Sequence, residues 1–517
     1  MVDDANLKGL STTLGCVLQN SSSDLTKTLA VSTLTHPQML IGRQQTIIYL
    51  RSKEDFTGRW NKRFQRLAEI ETDLIPFFKR DGKEKDSLED DAIAQLSFNH
   101  ELLKPLNHIP WLLFGISLFK IWLVPAMSIC LPLIMWIIPY LLLRFVYALP
   151  ITQDQYMHII QNMFSGTIAP PAAPVAEPFN LKTIFQYAMF AFTFAQSMIQ
   201  PIQNAMHLYK TDAICMKLGK QILEVRTLLQ EFRADLGKAN GIHIKLSYSL
   251  EHFDPTDPRI AFISIQDTPE NIHMVFRDLA HLETLWRIAK SPALNPVIFS
   301  KELLMLTDSC DISLNVENAV PSSINLAEKP HAILTGPNGG GKSSFLRAVL
   351  QSVLIGHAFG FAPAKEARMP RFIWIASGLQ LRDTPGKFSM FETEVKFAAD
   401  TLQAANMEGP GLVLFDELFH STNPTDSERS AIQFLHRLWK KANTFSIVST
   451  HLFPLVTAAP SVVQAICCDA KQLDEGEIEY SYAVQEGVCR VSSVHKVWEK
   501  FGLAKLRSGP QRKTHAV

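Results

Sequence analysis

The segment Thr335-Gly336-Pro337-Asn338-Gly339-Gly340-Gly341-Lys342-Ser343-Ser344 lies between the apolar run Ala332-Ile333-Leu334 and the helix-forming run Phe345-Leu346-Arg347-Ala348-Val349-Leu350. A Gly-x-x-x-x-Gly-Lys-Ser pattern placed between a strand and a helix constrains the fold more than any other feature of the chain, because each part has a mechanical role in holding a triphosphate. The glycines let backbone N–H groups turn inward around phosphates, Lys342 brings a point charge to the β and γ oxygens, and the Ser343 hydroxyl is suited to ligate Mg²⁺. A bare structural turn would leave the lysine and the serine unexplained. Gly336, Pro337, Asn338, Gly339, Gly340, Gly341, Lys342, Ser343 and Ser344 are therefore the candidate nucleotide-binding residues.

At 517 residues the chain has room for roughly two to four domains. Lys plus Arg and Asp plus Glu number 50 each, so no global basic field points to nucleic acid, and a DNA contact would need a local patch. The seven cysteines are scattered, without Cys-x-x-Cys spacing, so neither a disulfide framework nor a zinc site is indicated; Cys467-Cys468 follows an apolar run and reads as buried strand. The start Met-Val-Asp-Asp continues polar, so no cleavable secretory signal is expected.

Trp111 to Leu149 is the most hydrophobic stretch, interrupted by Lys120 and Arg144 and punctuated by Pro125, Pro132 and Pro139. Divided into Trp111–Pro125 and about Ser128–Leu149, it gives one short and one full-length segment against the roughly 20 residues that cross a bilayer core. Residues 110–150 are thus expected to form a transmembrane helical hairpin, with a buried hairpin in a soluble domain as the alternative. Trp111, Trp122, Trp136, Tyr140 and Tyr147 supply rings of the kind enriched near headgroups. Residues 151–178 end in the Pro/Ala-rich run Ala169–Pro178 and read as a linker. Phe179 to Leu208 interleaves Phe185, Tyr187, Phe190, Phe192 and Phe194 with glutamines, giving an apolar helix packed on the hairpin or lying along the membrane, or a third span.

Helical spacing predicts helices over Arg51–Arg80, Asp212–Leu236 and Asn271–Lys290, within two helical regions at 25–109 and 179–290. Residues 1–24 read as an N-terminal tail and 507–517 as a basic tail. From about Ile312 onward short apolar strands alternate with helices, the pattern of a parallel sheet with crossovers, so 291–506 is read as an α/β P-loop domain.

Gly411-Leu412-Val413-Leu414-Phe415-Asp416-Glu417 is an apolar strand that delivers two carboxylates to a sheet edge. Asp416 would hold Mg²⁺, through water or through Ser343, and Glu417 would position or deprotonate the attacking water. Phe445-Ser446-Ile447-Val448-Ser449-Thr450-His451 is a second strand ending in polar residues; His451 is either a γ-phosphate sensor or a structural histidine at a strand end.

These motifs, with Asp416-Glu417-Leu418 followed by Ser421-Thr422-Asn423, resemble in order and interval the ATPase domain of MutS, the DNA mismatch-repair family within the ABC-type ATPases. Phe388-Ser389-Met390-Phe391-Glu392-Thr393-Glu394 is similar to the family's Ser-x-Phe-x-x-Glu segment and Ala362-Pro363-Ala364 to its Val-Pro-Ala. Tyr480-Ser481-Tyr482 through Glu486-Gly487-Val488, then Ser492-Ser493 to Phe501-Gly502-Leu503, resemble its closing strands and helix. Leu34-Thr35-His36-Pro37 with Ile41-Gly42-Arg43-Gln44 resembles the start of its lever domain. The resemblance implies that the helical regions are lever helices, that ATP and Mg²⁺ are the cofactors, and that Glu417 and His451 are catalytic. It also implies a dimer, here expected as a homodimer through the ATPase domain, in which each site is closed by the partner's signature loop, Ser421, Thr422 and Asn423. The family's Asp-Glu-Leu-Gly-Arg-Gly-Thr is here Asp-Glu-Leu-Phe419-His420-Ser421-Thr422, and Gly339 and Ser344 replace the usual methionine and threonine.

No segment before Leu25 is long enough for the family's mismatch-reading domain, and the apolar stretch stands where its levers would reach a DNA clamp. The expectation is a membrane-associated, MutS-like Mg-dependent ATPase with its ATPase domain in the cytosol. The alternatives are a mismatched- or branched-DNA-binding ATPase whose membrane tether is incidental, and a transporter-type ABC ATPase, against which the missing Leu-Ser-Gly-Gly-Gln signature weighs.

Overall fold

Strand-forming segments begin at Asn295, ahead of the expected start near Ile312: β1 (Asn295–Phe299), β2 (Met305–Ser309), β3 (Ser322–Asn325), β4 (His331–Thr335), β5 (Phe361–Ala362), β6 (Glu366–Met369), β7 (Trp374–Gly378), β8 (Gly411–Phe415), β9 (Thr444–Ser449), β10 (Val463–Gln472) and β11 (Ile478–Glu486). The computed structural model describes residues 1–31, 36–79, 87–98, 100–156, 159, 181–237, 244, 246–251, 257–301, 303–314, 319–382, 388–473 and 478–493. Most of the linker at 151–178, the tail at 507–517, Leu34-Thr35 and Phe501-Gly502-Leu503 lie outside them, as do the side chains of Trp136, Tyr187, Phe190 and Phe194. Two compact units result: Met1–Glu71, Phe232–Ser247 and Met274–Val517 form the first, Thr72–Glu231 and Tyr248–His273 the second.

In the first unit a six-stranded sheet runs β11-β10-β4-β9-β8-β7, parallel except for the antiparallel β10–β11 pair, beside a mixed sheet β3-β2-β6-β1-β5. Every residue of β4, β8 and β9 is buried, as expected of parallel strands covered on both faces by crossover helices. The helices Lys342–Phe359, Met390–Ala404 and Pro424–Leu438 supply those crossovers. Because β9 lies between β4 and β8, with Leu334 beside Ser449 and Phe415 beside Val448, the phosphate loop and the acid pair leave the sheet at the same carboxyl edge.

Residues 1–24, expected as a tail, are instead folded, with helices at Leu10–Thr13 and Gln19–Ala30 and with Ala5, Leu7, Leu10 and Leu18 buried. The second helix has no side-chain cap of its own. Two fully buried carboxylates from other helices take its N–H groups: Glu283 accepts from Val17 (2.8 Å) and Leu18 (3.0 Å), and Glu71 accepts from Gln19 (2.7 Å) and Asn20 (3.3 Å). Nearby, Trp60 packs at 4.9 Å from both Trp286 and Phe232, fixing Phe56–Phe78 against Glu270–Lys290 within this unit.

The second unit corrects the hairpin expected at 110–150. Helix Pro110–Leu118, π-turn Phe119–Leu123, helix Val124–Leu141 and π-turn Leu142–Val146 follow one another without a reversal. Pro125 and Pro139 lie beside widened turns that re-register the backbone; Val124 N–H bonds to Phe119 O, and Tyr147 N–H to Leu142 O at 3.0 Å, whereas Pro132 sits within the helix Val124–Leu141. Pro110–Leu131 is the one stretch among the described residues long and apolar enough to cross a membrane, with mean hydropathy 1.9 and 22 % of it buried. The segments expected as separate helices at 179–208 and 212–236 are one 56-residue helix, Leu181–Leu236.

Candidate nucleotide site

The turn after β4 depends on two glycines. Gly336 has φ 147°, and a Cβ there would meet the Cys468 carbonyl oxygen of β10 at 3.0 Å; Gly341, at φ 100°, is the N-cap of the helix Lys342–Phe359. The loop's N–H groups and the helix N-terminus thereby face one space, a ready anion cradle. Lys342 is buried, and its Nζ donates to Gly336 O (3.0 Å), Pro337 O (3.3 Å) and Asn338 Oδ1 (3.3 Å). Burial lowers its pKa, against the opposing pull of Glu417 and Asp416.

Asp416 accepts hydrogen bonds from Ser343 Oγ through one carboxylate oxygen and from Ser449 Oγ through the other, while Ser449 Oγ accepts the Glu417 N–H at 2.9 Å. A serine hydroxyl in direct contact with a carboxylate is a hard-oxygen pair that suits Mg²⁺, which typically takes one or two protein ligands and fills the rest of its octahedron with phosphate and water. Among the described residues no cluster of three His, Cys, Asp or Glu competes as a metal cage. Glu417 sits at φ 53°, left-handed for a residue with a side chain, which turns its carboxylate toward the loop. The hydrogen bond with His451 (Nε2 to Oε1, 3.4 Å) holds the Glu417 carboxyl below its usual pKa, against desolvation and with help from the charges of His451 and Lys342. His451 Nε2 also lies 2.8 Å from Asn338 Oδ1 and 3.2 Å from Lys342 Nζ.

A cavity of about 650 Å³ opens over this edge. Glu417, Lys342 and Ser343 line its floor, and Asp311, Val320 and Tyr482 its other wall. Tyr482, on β11, stacks on Tyr480 with ring centroids 5.7 Å apart. Asp311 is buried and accepts from Arg347 Nε (2.7 Å) and Gln351 Nε2 (2.8 Å) of the phosphate-loop helix. Sequence reasoning placed Tyr482 only in a closing strand and passed over Asp311, Val320 and the bridging role of Ser449. The apolar-strand pattern of β10 and β11 was the available signal for Tyr482.

The structure brings the loop Gly336–Ser344, Asp416, Glu417 and His451 together. Ser421, Thr422 and Asn423 do not line the cavity. Their loop is fastened elsewhere: Ser421 Oγ donates to the buried Glu394, His420 Nδ1 lies 3.1 Å from the same carboxylate, and Asn423 caps the helix Pro424–Leu438 by accepting from the Asp426 N–H at 2.9 Å. Phe419 keeps a left-handed φ of 54° with its ring buried among Phe391, Phe415 and Phe434. Aromatic packing thus holds a backbone that glycine adopts without strain.

A parallel sheet with a glycine-lysine-serine loop at its carboxyl edge, and an acid pair two strands along, defines an α/β domain of the P-loop ATPase-like class. Residues 332–506 match the MutS domain V family, so this part of the chain is similar to that domain. Over 175 residues it is 31 % identical to the mitochondrial DNA mismatch repair protein MSH1 of Arabidopsis thaliana, a match covering 33 % of this chain and 15 % of that protein. Over 187 residues it is 30 % identical to DNA mismatch repair protein MutS of Thermus thermophilus, covering 36 % and 22 % respectively, and over 158 residues 30 % identical to MutS of Leuconostoc citreum, covering 30 % and 18 %. The matched segment is thus less than a quarter of each relative's length.

Proposed function

We propose that this chain is a MutS-like, Mg²⁺-dependent ATPase that works as a homodimer attached to a membrane, with its ATPase domain in the cytosol where ATP is supplied. The observation that carries the reading is the linked set Lys342, Ser343, Asp416, Ser449, Glu417 and His451 at one edge of a cavity. In this reading the loop N–H groups and Lys342 would hold the β and γ phosphates, and Ser343 with Asp416 would hold Mg²⁺, which would supply charge neutralisation at the transferred phosphoryl group. Glu417, kept ionised by His451, takes a proton from the attacking water. Tyr482 and Val320 offer an aromatic face and an aliphatic one to the base. The half-buried loop Ser421–Asn423 serves the partner's site, and lever helices carry the nucleotide state toward the apolar helix of the second unit. Extended exposed apolar surface at Trp122, Phe145 and Val146 supports the membrane part.

DNA binding is the second reading, favoured by the names of the relatives, which are mismatch repair proteins. Competition among homoduplex, mismatched and junction DNA at stated salt separates specific binding from the nonspecific term, which falls steeply with salt. For the ATPase, Glu417→Gln is expected to retain ATP while turnover falls by roughly two to four orders of magnitude, the usual contribution of a general base; unchanged hydrolysis would remove Glu417 from that role. Retention of the full chain in carbonate-washed membranes tests attachment, and recovery in the soluble fraction would end that part of the reading.

A further inference from the structure

The first unit contains residues from both before and after the second: Met1–Glu71 precede it, and Phe232–Ser247 and Met274–Val517 follow. A chain whose two ends fold together on one side of a bilayer must cross that bilayer an even number of times between Thr72 and Glu231. A single crossing at Pro110–Leu131, the one stretch that composition alone selects, fails this condition.

The burial pattern shows where crossings fit. Along the first apolar rod, Leu113, Ser117, Ile121 and Pro125 are buried at a spacing of four, one face packed on protein. That packing is polar at its edges: Ser117 Oγ donates to Asp212 (3.2 Å), which pairs with Arg259 (3.1 Å), and Lys120 Nζ donates to Gln95 O (2.6 Å). Ile121 and Leu208 share one buried cluster with Ala92 and Leu96. Farther along, both segments expose apolar side chains. Met127, Leu131, Ile134, Ile138, Leu142 and Phe145 are 44–71 % exposed, as are Phe185, Met189, Phe192, Ile199, Ile202 and Met206 on the helix that returns. No Asp, Glu, Lys or Arg occurs between Lys120 and Arg144 or between Lys182 and Lys210.

Resting on the membrane reading above, we propose that the chain crosses the bilayer twice, through Val124–Val146 and through residues 183–206, and that Pro110–Ile121, packed on protein along its Leu113–Ser117–Ile121 face and open at Trp111 and Phe114, lies outside the hydrocarbon. At 1.5 Å per residue each segment is about 35 Å long, against a hydrocarbon core of about 30 Å. Basic residues mark both boundaries: Lys120 and Lys210 on the side of the first unit's two chain ends, Arg144 and Lys182 on the other, where such side chains reach headgroups. Arg144 donates to the Tyr140 hydroxyl at that boundary. The glutamines of the second segment lower its hydropathy, which is why composition passes over it.

The test is site-directed labelling of the full chain in sealed native vesicles with a membrane-impermeant maleimide. Lys104→Cys, Asp154→Cys and Lys220→Cys alter exposed positions, and labelling is read as the gain over the unsubstituted chain, with detergent-opened vesicles as the control for reactivity. The expected result is that Lys104→Cys and Lys220→Cys react from one face and Asp154→Cys only from the opposite face. Reaction of all three from the same face, with the chain still resisting carbonate, would overturn the two crossings and leave membrane attachment standing. Loss of the chain to the carbonate wash, with a paired species in solution, would overturn both and assign the apolar rods to a second copy.

Discussion

Glu283→Ala tests how the first residues of the chain are held. Glu283 is fully buried; Oε1 accepts from Val17 N–H (2.8 Å) and Arg287 (3.1 Å), and Oε2 accepts from Leu18 N–H (3.0 Å) and Ser21 Oγ (2.8 Å). Removing the carboxylate strands two backbone N–H groups at a helix start, each costing about 1–3 kcal/mol when left without an acceptor. Arg287 is partly exposed and can turn to solvent, and Ser21 can still donate to the Ala280 carbonyl at 3.3 Å, so these two add little. The total is then about 3–5 kcal/mol, the usual cost of breaking a buried ion pair from one side. Glu283→Gln keeps one acceptor oxygen, and the Ser21 hydroxyl can rotate to accept from the new amide. Only Leu18 N–H remains stranded, for about 1–3 kcal/mol. Amide hydrogen exchange is the assay: protection over residues 17–30 is expected to fall by about two to three and a half orders of magnitude in the alanine variant, clearly less in the glutamine variant. Protection unchanged at 17–30, or lost evenly across the first unit, would refute the claim that this carboxylate anchors the segment.

Four further outcomes follow from the geometry. Lys342→Ala is expected to weaken ATP binding about 10- to 150-fold, the worth of a charge-assisted contact of about 1.5–3 kcal/mol, measured by nucleotide titration. Tyr482→Ala should weaken it about 2- to 10-fold and Tyr482→Phe hardly at all, since a ring contact is worth about 0.5–1.5 kcal/mol. His451→Ala removes the bond that holds the Glu417 carboxyl low while leaving the burial that raises it, so the acid limb of the hydrolysis profile should move to higher pH. His331 and His357 are buried, and burial lowers each from 6.5 to about 4. The unfolded chain therefore binds these protons first; stability is unaffected above pH 6.5 and declines as pH falls toward 4, by about 3 kcal/mol per histidine. Denaturant titrations at pH 7 and pH 4.5 should show a loss that His331→Gln reduces.

The loop and acid pair of the candidate site were legible because their information is local: loop Gly336–Ser344 carries its own strand and helix, and Asp416-Glu417 ends a strand recognisable by its apolar run. What escaped notice arrives by distant pairing. Tyr482 reaches the cavity only because β11 folds back on β10, and the acids that seat residues 17–20 lie 52 and 266 positions away for Gln19 and Val17. The prolines between Trp111 and Leu149 suggested a reversal because sequence marks a missing N–H donor, whereas the π-turns that accommodate it leave no compositional trace. Phe419 shows the converse: the loss of a glycine suggested a changed loop, yet buried aromatic contacts keep the left-handed turn.

The central claim, a dimer-completed ATPase, is tested most directly by phosphate release from Mg-ATP by the full chain in lipid across a series of protein concentrations. Specific activity is predicted to rise with concentration and then level off as the two sites close on one another, and to collapse across the whole series in Glu417→Gln. No hydrolysis at any concentration would contradict the enzymatic claim, and a specific activity independent of concentration, down to dilutions where the chain is demonstrably monomeric, would contradict the requirement for a partner.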